Sequence, residues 1–182
     1  MEIRLAFPNE VAPVMTIIAD AKKQMASYGS DQWQDGYPDE KSIFDDILNG
    51  NGYVALVDGE IVAYTAVILG HEDAYDAIYD GKWEHNNQLY VTFHRIAINS
   101  AFQGQQIAQT FLQGLIEGYD AHDFRCDTHE KNLAMQHILE KLGYVYCGKV
   151  PLHGVRLAYQ KIKNKRESSL YQEVDEASHH AY

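Results

Sequence analysis

The chain has 182 residues, 46% apolar and 23% charged, a composition that suits one domain with a sizeable core and excludes a disordered chain. Its formal net charge of −11 makes nucleic acid and anionic membrane surfaces poor partners. An acidic field attracts a cationic small molecule such as an amine or polyamine, although the same charge also serves solubility alone.

Residues 2–6 alternate charged and apolar side chains and read as a short first strand. Pro8 and Asn9 make a turn and cap, after which Val11, Val14, Met15, Ile18, Ala19, Lys22 and Met25 trace one helical face. The loop GSDQWQDGYP follows, then a second helix over 39–48 with Ile43, Phe44, Ile47 and Leu48 facing inward. Asn49 to Gly52 ends it, because Asn and Gly tolerate the left-handed conformation. Asp58-Gly59 between two strand-like runs predicts a hairpin over 53–69. The acidic, aromatic stretch 70–87 is long for a compact domain; it reads as a solvated loop or a lid, with a short helix near 74–79.

The most informative stretch is LYVTFHRIAINSAFQGQQIAQTFLQGLIE, residues 89–117. Its first ten residues are rich in β-branched and aromatic side chains, as in a buried strand. Asn99, Ser100 and Gly104 then break the pattern. Ile107, Ala108, Phe111, Leu112, Leu115 and Ile116 have helical spacing. A strand, a tight turn and a helix N-terminus present unpaired N–H groups where a phosphate can dock. An ordinary strand-to-helix connection has the same shape. A strand over 124–128, a helix over 133–142 closed by Gly143, and strands over 144–150 and 156–162 complete the order β-α-α-β-β-β-α-β-α-β-β. Residues 164–182 are polar and are expected to form a tail beyond a domain of residues 1–163.

Cys126 and Cys147 form no C-x-x-C pair, fall in expected strands and read as small buried hydrophobes. No stretch reaches the ~20 apolar residues that cross a bilayer, and no signal peptide is evident. A cytoplasmic location is expected. His129, Glu130 and His137 fit no familiar metal-ligand spacing, nor does the His179-His180 pair, so no metal is expected.

The segment INSAFQGQQIA, residues 98–108, resembles the acyl-CoA loop of the GNAT N-acyltransferase superfamily, which runs Gln or Arg, two residues, Gly, one residue, then Gly or Ala. Gln103, Gly104 and Ala108 match, whereas Gln106 stands where the family has Gly. NLAMQHILEKLGY, residues 132–144, resembles the family's second signature of Asn, helix and Glu-Lys-x-Gly-aromatic. The resemblance implies an α/β (α+β) fold: a mixed, mostly antiparallel sheet of six to seven strands, about four flanking helices, and two parallel strands that splay apart at the cofactor.

It further implies that an acetyl group passes directly from acetyl-CoA to a primary amine of a small molecule or peptide, without a covalent enzyme intermediate. The pantetheine arm would lie between the splayed strands, bonded by the backbone of Ile96, Ala97 and Ile98. Gln103, Gly104, Gln105, Gln106, Ile107 and Ala108 would hold the pyrophosphate, and Asn132 would fix the cofactor, although it can equally be a helix N-cap. Trp33, Asp35 and Tyr37 border the family's acceptor pocket, or else the two aromatics cover a core edge. Self-association through the last strands or the tail is common in the family, so a homodimer is expected.

A free alkylamine is protonated at neutral pH, and neutralising it costs about 4–5 kcal/mol, so a base is the larger requirement and an acid the smaller one. His94 is the candidate base, with a packed strand histidine as the alternative. Thr92 stands where other members carry a catalytic Glu, and Arg95 is expected to pair with a carboxylate. The family's acid position, seven residues after Asn132, holds Leu139, which leaves Tyr144, Tyr146 or solvent as substitutes, with Tyr144 the candidate acid. Leu139 and Gln106 favour the alternative of a CoA-binding sensor or assembly protein with little turnover.

Overall fold

The computed structural model describes residues 1–104 and 106–164. Gln105 and the expected tail, from residue 165 on, lie outside the described residues. The elements are β1 (Glu2–Leu5), α1 (Val11–Ser27), α2 (Glu40–Leu48), β2 (Gly52–Val57), β3 (Glu60–Gly70), β4 (Tyr90–Ile98), α3 (Ile107–Gly118), β5 (Asp123–Thr128), α4 (Leu133–Lys141), β6 (Val145–Pro151) and β7 (Val155–Ile162). Their order is the expected one.

One seven-stranded sheet runs β1-β2-β3-β4-β5-β7-β6. Every neighbouring pair is antiparallel except β4 and β5. The expected α/β (α+β) architecture, four helices around a mostly antiparallel sheet, is what the chain adopts. Two hydrophobic clusters join the helices to it. Phe111, Leu112, Leu115 and Ile116 of α3 and Leu139 of α4 pack with Val91, Phe93 and Phe124. Val14, Ile17, Ile18 and Ala21 of α1 and Ile43 and Ile47 of α2 pack with Val54, Tyr64 and Ala97. Among the described residues no helix is long and apolar enough to cross a membrane.

The hairpin forms as its Asp-Gly turn dictates, with Asp58 at φ 50° and Gly59 at φ 79°, both positive as a type I′ turn requires. The inward face of α2 differs from the expectation. Ile43 and Ile47 are buried, but Phe44 and Leu48 are exposed and Asp46 is buried in their place. A partner 49 residues away explains this: Asp46 receives the Arg95 guanidinium through Nε at 2.8 Å and Nη2 at 2.5 Å, and the Tyr64 hydroxyl at 2.7 Å. The face of α1 is also rotated from the expected one, burying Ile17 and Ala21 and leaving Ala19 exposed.

The stretch between β3 and β4 is exposed along most of its length, yet it is anchored to the sheet rather than loose. Its 3₁₀ turn, Asp73–Ala77, buries Tyr75, which packs with Trp83, Tyr90, Val150 and Ala158. Arg125 lies between the Trp83 and Tyr90 rings, 4.4 and 3.9 Å from their centroids, while pairing with Asp123 at 3.1 Å and bonding the His85 carbonyl at 2.9 Å. A cation held between two aromatic faces and a carboxylate fixes the segment as a strap. The strap crosses β6 where Gly81 meets Gly148, and a Cβ on Gly81 would overlap the Cys147 carbonyl oxygen.

Candidate active site

Two irregularities of the sheet build the site. The first lies in β4. Strict alternation would place Phe93, Arg95 and Ala97 on one face of the sheet. Arg95 instead has φ 54°, and the register with β3 shifts between Tyr64 and Ala66. A one-residue irregularity exchanges the faces of all residues beyond it in the strand. Phe93 accordingly packs with the α3 and α4 cluster and Ala97 with that of α1 and α2. His94 and Arg95 both line one cavity.

The second irregularity is the parting of the parallel pair. β4 and β5 match only at Val91↔Phe124 and Thr92↔Arg125. Beyond Thr92 the two strands diverge, so the edge of β4 that faces β5 has unpaired backbone groups. Those groups belong to the segment that ends in Ile96, Ala97 and Ile98. Such an edge can bond an extended chain laid along it as an added strand would be bonded.

The cavity, about 740 Å³, opens at this fork. Phe93, Ile96, Thr128, Asn132 and Met135 line its fork end; Trp33, Asp35 and Tyr37, from the connection between α1 and α2, line it too. Trp33 is half-buried against the α1 and α2 cluster, and Tyr37 accepts a 2.6 Å bond from Arg95 while stacking on His153 at 6.3 Å. Trp33 therefore both covers a core edge and faces the cavity, whereas Tyr37 is exposed and faces the cavity from beside Arg95 and His153. Asp35 is exposed.

Four polar residues converge in the cavity from separate elements: Glu72 of the strap, His94 of β4, Asp127 of β5 and Arg156 of β7. His94 Nε2 lies 3.6 Å from Glu72 Oε2. Burial, helped by the Arg95 charge, pushes the His94 imidazole down to about 4, while a carboxylate as near as Glu72 works against that descent. The ring is neutral at pH 7 in either case. It can accept a proton, although burial makes it a weaker base than a free imidazole, and Glu72, one-third exposed, can carry that proton toward solvent. Burial raises the Asp127 carboxyl above its ordinary value; the Tyr75 hydroxyl, donating at 2.5 Å, and the Arg156 charge oppose the rise. A carboxylate whose charge is disfavoured is a stronger base.

Asn132 caps α4, its side chain accepting from the Met135 N–H at 3.1 Å, and it also lines the cavity. Its amide nitrogen has no acceptor among the described residues, so the capping and the cofactor role are compatible. Tyr144 is a correction to the expected acid. It sits in the core with Leu139, its hydroxyl buried without a partner among the described residues and pushed well up by burial. It does not line the cavity. His129 is likewise not solvated: its Nε2 lies 3.2 Å from Asp31 and its Nδ1 accepts from the Lys131 N–H, tying the loop after β5 to the loop after α1.

The turn before α3 sits apart from this cavity. Gln106 is the N-cap residue and has φ 60° and ψ 20°, the left-handed conformation. A side chain there costs about 1 kcal/mol that Gly would not incur. The Gln103 N–H already donates to Ser100 O at 3.2 Å, which removes it from the expected phosphate donors, and its side chain bonds Gln24 of α1. The amides of Gly104, Gln106, Ile107 and Ala108 have no acceptor among the described residues outside α3. Unpaired main-chain donors at a helix N-terminus are what a docked anion requires.

Glu72, Asp127 and Arg156 were not foreseen from the sequence. Asp127 and Arg156 lie in expected strands, but β5 also carries Asp123 and Arg125 and β7 carries Lys161, so charge within a strand did not single them out, and Glu72 had no signal. Cys126 and Cys147 are buried, as expected, and burial pushes both thiols up, so neither is a nucleophile.

The family model described as "Acetyltransferase (GNAT) family" matches residues 18–144. An acetyltransferase of the GNAT family from Streptococcus agalactiae 2603 has 64% sequence identity and a TM-score of 0.89, over 90% of this chain and 96% of that one. Ribosomal-protein-alanine N-acetyltransferase from Brucella melitensis has 20% identity and a TM-score of 0.66, over 90% and 100%. PaiA N-acetyltransferase from Thermoplasma acidophilum, in complex with coenzyme A, has 13% identity and a TM-score of 0.65, over 89% and 98%. The last two are similar in fold alone. No curated protein matches the sequence.

Proposed function

Since the chain belongs to the GNAT family of acetyltransferases, we propose that it transfers the acetyl group of acetyl-CoA to a primary amine of a small molecule or peptide. The observation that carries this reading is the cavity that runs from the fork of β4 and β5 to the aromatic connection between α1 and α2. The fork takes the pantetheine arm against Ile96, Ala97 and Ile98. The amides of Gly104, Gln106, Ile107 and Ala108 receive the pyrophosphate, and Asn132 donates to the arm. The complex of the Thermoplasma protein with coenzyme A supports this choice of donor.

The acceptor enters from the Trp33, Asp35 and Tyr37 side as an ammonium drawn by Glu72, Asp127 and Asp35. It loses a proton to the His94 and Glu72 pair, with Asp127 as a second carboxylate facing the same space. Its lone pair attacks the thioester carbonyl, the C–S bond breaks with its electron pair on sulfur, CoA leaves as a thiolate, and the second proton of the nitrogen passes to that thiolate or to water, leaving a neutral amide. That thiolate needs little help, because its conjugate thiol has a pKa of roughly 8–9. A buried Leu139 at the usual acid position is therefore compatible with turnover.

The same Leu139, with Gln106 in its left-handed conformation, favours the second reading of a CoA-binding sensor. Purified protein mixed with acetyl-CoA and a panel of amines separates the two. The enzyme releases free thiol and forms N-acetylated amine; a sensor is stabilised by CoA and releases no thiol with any amine.

A further inference from the structure

Arg156 has no role in the chemistry described above. It is the second residue of β7, 7% exposed, and it lines the cavity. Its only side-chain bond among the described residues runs from Nη1 to the Val155 carbonyl, at 3.1 Å. No described carboxylate lies within 4 Å of it, although Arg4, Arg95 and Arg125 each have one. A guanidinium carries five N–H donors in a planar fork. Burying it with one bond and no direct ion pair is costly unless something else completes it.

Its surroundings define that missing group. Asp127 is close enough for its carboxyl to feel the Arg156 charge, but it is already bonded to the Tyr75 hydroxyl. Glu72 is engaged with His94, and His153 stacks on Tyr37. The cavity therefore holds an acidic group of Glu72 and Asp127 and, in the same space, a cation with no ion-pair partner among the described residues.

We infer that the acceptor is a zwitterion, an amine that also bears a carboxylate, and that Arg156 binds the carboxylate as a fork while the acidic residues face the amine. The inference rests on the proposed acetyl transfer for the identity of the reacting amine. A carboxylate fits better than a phosphate, because a phosphate carries about −1.5 to −2 charges at pH 7. One guanidinium would leave that excess facing Glu72 and Asp127. Planar bidentate pairing is what an arginine offers a carboxylate and a lysine does not.

The test uses matched pairs: glycine and glycinamide, phenylalanine and phenylalaninamide, 4-aminobutyrate and 4-aminobutyramide, with phosphoethanolamine as the phosphate arm. Each is titrated calorimetrically into CoA-saturated protein and, separately, offered as acceptor with acetyl-CoA. At least one acid is expected to bind and react tenfold or more better than its amide and better than phosphoethanolamine. Arg156→Gln is expected to reduce that preference to about twofold, and Arg156→Lys to recover only part of it. Equal use of acid and amide, a preference for the phosphate, no binding by any acid, or an acid preference that survives Arg156→Gln would each overturn the inference. The wild-type comparison decides even if the variants fold poorly. Arg156-dependent binding of an acid without thiol release would uphold the zwitterion site and reject the transferase reading.

Discussion

The Arg95 guanidinium closes on the Asp46 carboxylate from a strand to a helix, with side chains only 13% and 8% exposed. The pair holds α2 against the irregular segment of β4, and the Arg95 bond to Tyr37 then fixes one wall of the cavity. Removing one member leaves the other charge buried and uncompensated. Asp46→Asn is expected to cost about 3 kcal/mol of unfolding free energy, read from urea denaturation. A loss under 1 kcal/mol would mean that the pair does not hold this corner.

The strap depends on the close approach of two backbones at Gly81 and Gly148. Gly81→Ala places a methyl group against the Cys147 carbonyl and is expected to destabilise by about 2 kcal/mol. The near-ultraviolet signal of Tyr75, Trp83 and Tyr90 should change with it. Unchanged denaturation and an unchanged aromatic signal would contradict a packed strap.

Gln106→Gly should act in the opposite direction. It removes roughly 1 kcal/mol of left-handed strain and loses about half of that to the greater freedom of the unfolded chain. A net gain of about 0.5 kcal/mol is expected, measurable as a higher melting temperature. A loss of stability would show that Gln106 is not left-handed in solution.

His94 makes the stability depend on pH. Its folded-state pKa of about 4 lies below the ordinary 6.5. Between those values the unfolded chain binds the extra proton, so stability rises with pH there. The contribution is complete above about 6.5 and is lost as pH falls toward 4, by up to about 3 kcal/mol and less to the degree that Glu72 offsets burial. Denaturation at pH 7.5 and pH 4.5 should show a smaller difference for His94→Gln than for the wild type. Parallel pH dependences would contradict a buried neutral imidazole.

The element order was legible because turn chemistry and periodicity are local. Asp58-Gly59 imposes its hairpin, Asn132 caps its helix, and the apolar spacing from Ile107 is helical wherever it is placed. The strand ends came within a residue or two for the same reason. The errors fall where a distant partner overrides the local pattern. Asp46 is buried because of Arg95, and the 70–87 segment is anchored because Arg125 stacks on its Trp83 and bonds its His85 carbonyl. Tyr144 differs: it packs into the core beside Leu139 with its hydroxyl unpartnered among the described residues. Trp33, Tyr37, His94 and Asn132 were named from the sequence and share one cavity. Glu72, Asp127 and Arg156 meet there only because the strap, β5 and β7 are folded together, and no spacing along the chain encodes that meeting.

The claim on which the account depends is that the fork of β4 and β5 and the turn before α3 together hold coenzyme A. Titration of ¹⁵N-labelled protein with coenzyme A to millimolar concentration tests it directly. The expected result is saturable shifts of the Gly104, Gln106, Ile107 and Ala108 amides together with those of Ile96, Ala97 and Ile98. Shifts confined elsewhere, or none at all, would contradict it.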